Sequence, residues 1–179
     1  MRTQRKSSTR RLAASAVLSA LGVVLLTVGA FVSVLDLSMA AIASLTVVFA
    51  VIELKGKYPY LVYFVTSVLS LLLLPSKAPA LLFALFAGYY PILKAWLEGR
   101  FSRTVSWLFK ILTFTVAFAL IAFVSIKVFT LFELTWQWWY AAALAFVVAV
   151  FVLYDIALTR LITAYLLRWR RRFRFRFDD

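Results

Sequence analysis

The chain has 179 residues, 65% of them hydrophobic, with a mean hydropathy of +0.96; a soluble domain runs near half apolar, so the composition excludes an ordinary water-soluble globule and predicts a membrane protein. The absence of Cys and His excludes disulfides, thiol nucleophiles and cysteine metal sites, and removes the commonest metal ligand and general base, so no metal or other cofactor is expected. The formal charge of +13 would point to nucleic acid on a soluble protein, but on a membrane protein the placement of the charges matters more than their sum.

About 20 apolar residues cross a bilayer as a helix. The basic segment 1–11 comes first, followed by one long apolar region from Leu12 to Leu54 that is interrupted by little except Asp36 and its serine neighbours. It is too long for one span and divides into two, about Leu12–Phe31 and Leu37–Glu53. The segment LKGKYP ends the second, and a third follows at about Tyr60–Leu74, closed by PSKAP. The fourth is expected at about Ala80–Leu97, with Gly88 and Pro91 kinking it because proline removes a backbone donor. The fifth runs over about Val105–Phe132 and the sixth over about Trp136–Leu167. The expectation is an all-α, six-helix bundle over 12–167, forming one integral membrane domain with a basic, aromatic tail at 168–179.

Charge sets the orientation. Arg2, Arg5, Lys6, Arg10 and Arg11 precede the first span, Lys55 and Lys57 follow the second, Arg100 and Arg103 follow the fourth, and six arginines from Arg168 to Arg176 follow the sixth. The alternate connections carry only Lys77, with Asp36 and Glu133. Six spans with both termini cytoplasmic put every basic cluster on one side, as the positive-inside rule requires. The first apolar run far exceeds the 7–15 residues of a signal-peptide core, which disfavours cleavage.

The inventory holds no enzyme site: no phosphate-binding glycine loop, no GxSxG, no HExxH and no paired carboxylates at helical spacing. The acids in or beside the spans, Asp36, Glu53, Glu98, Glu133 and Asp155, read as isolated. Nothing here hydrolyses a nucleotide, so active transport would draw its energy from another subunit. Lys110 and Asp155 lie at comparable depth on the fifth and sixth spans, and charges in such positions are usually paired. Lys110–Asp155 is the expected pair, with Asp155–Arg160 as the local alternative and two separately hydrated side chains as the plain one.

In RLAASAVLSALGVV the first span carries Ala16 and Ala20 as a small-xxx-small pair, with Ser15 and Ser19 beside it. Between helices in lipid, association leans on close packing over small residues. Such a stripe serves either the chain's own bundle, as Ala80, Ala84 and Gly88 or Ala141, Ala145 and Ala149 would, or a partner. A basic N-terminus followed by an alanine-rich first helix with an AxxxA pair resembles the substrate-binding (S) subunits of energy-coupling-factor importers. Those are six-helix proteins of similar length with both ends in the cytoplasm. The resemblance implies a bacterial-type cell membrane protein that captures a small molecule. It also implies that Ala16 and Ala20 dock on a transmembrane coupling subunit driven by two cytosolic ATPases. The connection around Asp36 is shorter than the external loop that covers the ligand in many S subunits. The alternative from another class is a structural or scaffolding membrane protein, for example in envelope assembly, that transports nothing.

The resemblance places a ligand in the outer half of the bundle, where Asp36, Lys127, Glu133, Trp136 and Trp139 are the candidates. Lys127 leans toward the membrane centre, because helical side chains tilt toward the N-terminus, so a partner in Glu133, Asp36 or an anionic ligand is expected. Trp136 and Trp139 belong to a run that also fits an interfacial aromatic belt. The tail RWRRRFRFRFDD fits anionic lipid, which attracts basic clusters at about 1 kcal/mol per residue near the surface; nucleic acid is disfavoured. The topology is testable on a chain without native cysteine. Lys77→Cys and Leu134→Cys should react with an impermeant maleimide on intact cells, and Gly56→Cys and Phe101→Cys only after permeabilisation. Labelling of position 56 from outside would overturn the orientation.

Overall fold

The computed structural model describes residues 2–127 and 139–169, and among these every regular element is helical. They form two compact units, one within Met1–Ile121 and one within Ala122–Phe175. Helix α1 spans Arg2–Phe31. At 1.5 Å per residue it is about 45 Å long, which exceeds a hydrocarbon core of about 30 Å and leaves its arginine-rich first turns beyond the apolar part. A 3-10 turn at Ser33–Leu35 then reverses the chain, with Val32 N–H donating to the Gly29 carbonyl (2.9 Å) and Leu35 N–H to that of Val32 (2.7 Å).

Helix α2, Asp36–Phe49, opens with the Asp36 carboxylate in its first turn, where the helix dipole favours negative charge. It runs on into a π turn at Ala50–Leu54. Lys55 and Gly56 both adopt left-handed backbone (φ 54° and 60°), so the chain turns sharply into α3, Tyr58–Leu73, which carries Pro59 in its first turn. Proline is tolerated there because that N–H has no helical acceptor.

The expected kink of the fourth span is a full interruption. Helix α4, Ala78–Leu82, passes into a π turn at Phe83–Ala87, a bend follows at Gly88–Tyr89, and α5 restarts as Tyr90–Arg100 with Pro91 in its first turn. Gly88 N–H reaches back five residues to the Phe83 carbonyl (2.7 Å), which releases the Ala84 carbonyl from the helical ladder. In lipid a free carbonyl costs several kcal/mol, and the Tyr63 hydroxyl on α3 donates to it at 2.8 Å. A Cβ at Gly88 would meet Tyr63 Cδ2 at 2.8 Å and the Phe83 oxygen at 2.9 Å, so the glycine lets α3 close over the break. Helix α6 is Arg103–Lys127. Helix α7 is Trp139–Ala164 and ends in a π turn at Tyr165–Trp169.

Among the described residues four stretches are long and apolar enough to cross a membrane: Ser8–Phe31, Asp36–Leu54, Ala78–Arg100 and Val148–Arg168; Tyr58–Leu73 and Thr104–Leu120 are shorter apolar helices. Among the described residues the structure is thus all-helical, and the chain is a multi-pass membrane protein.

The core of the first unit lies where α1, α2 and α3 meet, around Leu26, Ala43, Val47, Val62 and Phe83. Helix α1 buries Ser15, Ser19, Gly22, Leu26 and Gly29, a four-then-three spacing that keeps one seam facing its neighbours. The hydroxyls on this seam are satisfied locally. Ser15 donates to the Arg11 carbonyl (2.8 Å) and Ser19 to that of Ser15 (2.9 Å), while Thr46 donates to Ala43 (2.8 Å) and Ser70 to Thr66 (2.6 Å). A longer bond from Thr66 to the Ser19 carbonyl (3.4 Å) joins α3 to α1.

A Cβ at Gly22 would stand 2.9 Å from Thr66 Cγ2 and 3.3 Å from Thr46 Oγ1. Gly22→Leu therefore overpacks the seam and should cost about 1–3 kcal/mol, read as a lower melting temperature in detergent. Ala16→Leu, on the exposed face of the same helix, should change stability by no more than about 0.5 kcal/mol. Equal losses at the two positions would mean that the seam is misassigned.

Candidate functional site

Most charge in this chain stands at helix ends, so buried charge marks positions that the fold has to compensate. On α5, Lys94 and Glu98 are four residues apart and therefore share a face. The corner at Phe101–Ser102 then returns the chain along α5, so that Lys110, two turns into α6, comes level with Glu98. Lys94 Nζ lies 2.8 Å and Lys110 Nζ 2.6 Å from the same carboxylate oxygen, Glu98 Oε1. The lysines are 2% and 3% exposed, whereas the Glu98 side chain is 45% exposed. The cluster thus has a dry cationic side and a wet acidic side.

Packing at the corner fixes this geometry. The Ser106 hydroxyl donates to the Leu97 carbonyl (3.2 Å), satisfying an end group of α5. The Phe101 ring sits between Trp96, edge-on at 5.6 Å, and Phe109, tilted at 5.6 Å. Lys110 Nζ also stands 5.4 Å from the Trp107 ring centre, within cation–π range. Glu53 is buried in the π turn of α2, a turn that packs against α5.

The reading of Glu98 as isolated is corrected here: two lysines from two helices share it. Lys94 was missed altogether, although its spacing to Glu98 was the signal available. Lys110 is buried and pairs with Glu98. Asp155 is buried on α7, in the second unit. The remaining candidates are spread out. Asp36 is partly buried at the start of α2, at the opposite end of that helix from Glu53. Lys127 is the last described position of α6 and Trp139 the first of α7; their side chains, together with Glu133 and Trp136, lie outside the described residues. Ala16 and Ala20 are exposed on α1, while Ser15 and Ser19 beside them are buried. The C-terminal tail from residue 170 also lies outside the described residues.

Chemically, the cluster offers two fixed ammonium groups and a half-solvated carboxylate. Among the described residues no group of acids could hold a metal ion. Glu98→Gln strips both lysines of their shared carboxylate. Breaking a buried pair costs about 3–5 kcal/mol; the exposure of Glu98 reduces this to about 1–3 kcal/mol, measurable by unfolding in detergent. Adding Lys94→Met to Glu98→Gln should cost less than the sum of the two single changes, and strict additivity would show that they act independently. The same cycle on Lys110 and Asp155 tests the pair expected from the sequence.

No family model, no curated protein and no solved structure matches the chain.

Proposed function

We propose that this protein is the membrane-embedded, substrate-binding subunit of an energy-coupling-factor type importer for a small molecule. In this reading six helices cross the cell membrane with both termini in the cytoplasm, and the coupling subunit docks on α1. The observation that carries it is the division of labour on that helix. The bundle takes the face with Ser15, Ser19, Gly22 and Leu26, while Ala13, Ala16 and Ala20 are exposed beside Val17, Leu21 and Val24. A surface meant only for lipid gains nothing from alanine, whereas a second helix approaches closely over small side chains. The absence of a nucleotide-binding motif in the sequence fits a subunit whose energy comes from elsewhere. At the other end of the molecule, the connection that the resemblance assigns to ligand capture holds Asp36. Its Oδ1 is buried without a hydrogen-bond partner among the described residues, which suits a polar ligand group there.

Bulk on the exposed face separates assembly from folding. The double variant Ala16→Trp/Ala20→Trp should keep its yield and melting temperature in detergent, because the added rings enter lipid. It should no longer co-purify with a transmembrane coupling subunit and its ATPases, which the unaltered chain retains. A stable variant that still assembles would sink this use of the face. An unaltered chain that captures no such subunits would favour the scaffolding alternative.

A further inference from the structure

We propose that the cleft between α3 and α5 is a binding site for one anionic glycerophospholipid. One of its two acyl chains would lie along the cleft and its phosphate between Lys57 and Arg100, with the other chain in the surrounding bilayer. The cleft has a volume of about 340 Å³ and is walled by Tyr60 and Tyr63 of α3 and by Tyr89, Ile92, Leu93 and Trp96 around α5. A second cleft of about 410 Å³ shares Tyr63 and Tyr89 with it and continues toward α6. The helices around them expose Phe64, Leu108 and Leu112, where hydrocarbon is the solvent.

Length fits one acyl chain lying along the cleft: from Tyr89 to Trp96 the helix advances about 10 Å, and both residues wall the cleft. Depth agrees. Counted back from Arg100, Trp96 lies about 6 Å and Tyr89 about 16 Å along the axis, close to the about 15 Å of one leaflet of hydrocarbon.

Charge selects the headgroup. The shallow end of the cleft is the cationic end. Arg100 stands 5.9 Å from the ring centre of Trp96, which is itself a wall residue. Lys57 is exposed immediately before α3, three residues from Tyr60. The nearest acid along α5, Glu98, has its Oε1 engaged by Lys94 and Lys110. A phosphate at this level therefore meets two cations, while a zwitterionic headgroup brings a positive group against them.

The test uses the full chain with Trp96 as its single tryptophan, the other five replaced by Phe, in phosphatidylcholine vesicles. Small fractions of chain-brominated phosphatidylglycerol or chain-brominated phosphatidylcholine serve as quenchers. Phosphatidylglycerol should associate at Trp96 more tightly by about fivefold for each cation that it meets. Lys57→Gln/Arg100→Gln should remove that excess without changing the melting temperature. Native mass spectrometry of the unmodified chain gives a second reading, with one phosphatidylglycerol retained through delipidation and lost in the double variant. Equal quenching by the two lipids would overturn the proposal. So would an excess that survives Lys57→Gln/Arg100→Gln, which would belong to the general basic surface. Trp96 shielded from both lipids in native membranes, but open in vesicles, would assign the cleft to a partner helix and overturn it as well.

Discussion

The approach of α1 to α2 and α3 at Gly22 is the contact on which the first unit depends. Between helices in lipid the hydrophobic effect supplies little attraction, so short-range dispersion and the few available hydrogen bonds have to hold them. Both require backbones to come close. Gly22 sits against Thr46 and Thr66 with no room for a methyl group, and the hydroxyls along the seam turn back onto their own helices. This brings the Thr66 hydroxyl within reach of the Ser19 carbonyl. Once one face of α1 is committed in this way, the alanine face roughly a third of a turn away is left outside, and that geometry gives the helix a second surface to use.

The α5–α6 corner solves a different problem. Lysines only 2% and 3% exposed are tolerated in an apolar setting only with a charged partner held in place. Here one carboxylate serves both, positioned by the spacing within α5, by the Ser106–Leu97 bond and by the aromatic stack on Phe101. Because Lys94 and Glu98 both belong to α5, only the Lys110–Glu98 pair spans the corner, and moving α5 relative to α6 would break that pair while the Lys94–Glu98 pair stayed intact.

Much of this was legible in the sequence. The first two helices divide where Asp36 and its serines interrupt the apolar run, and α1 ends at Phe31 as expected. LKGKYP, PSKAP and the Gly88–Pro91 neighbourhood each mark a break in the chain, because proline lacks a backbone donor and exposed lysines are costly in hydrocarbon. Which small-residue stripe of α1 would face inward was not legible, since Ser15–Ser19 and Ala16–Ala20 have the same spacing. Only the threonines opposite, contributed by two other helices, decide between them. The sharing of Glu98 was hidden for a similar reason. Its bond to Lys94 is local and visible as a four-residue interval, whereas its bond to Lys110 exists only because the chain doubles back. The π turns left no signal that composition or periodicity could show.

The π turn at Phe83–Ala87 is where one surplus residue is stored. It accommodates one residue more than an α-helical turn does, so the helix beyond it is not rotated by the extra residue. A chain one residue shorter here would close the segment as an ordinary α-helical turn. It would then lose the freed Ala84 carbonyl, and with it the acceptor that Tyr63 of α3 uses. The surplus residue thus serves as an attachment point between two helices, made from backbone alone.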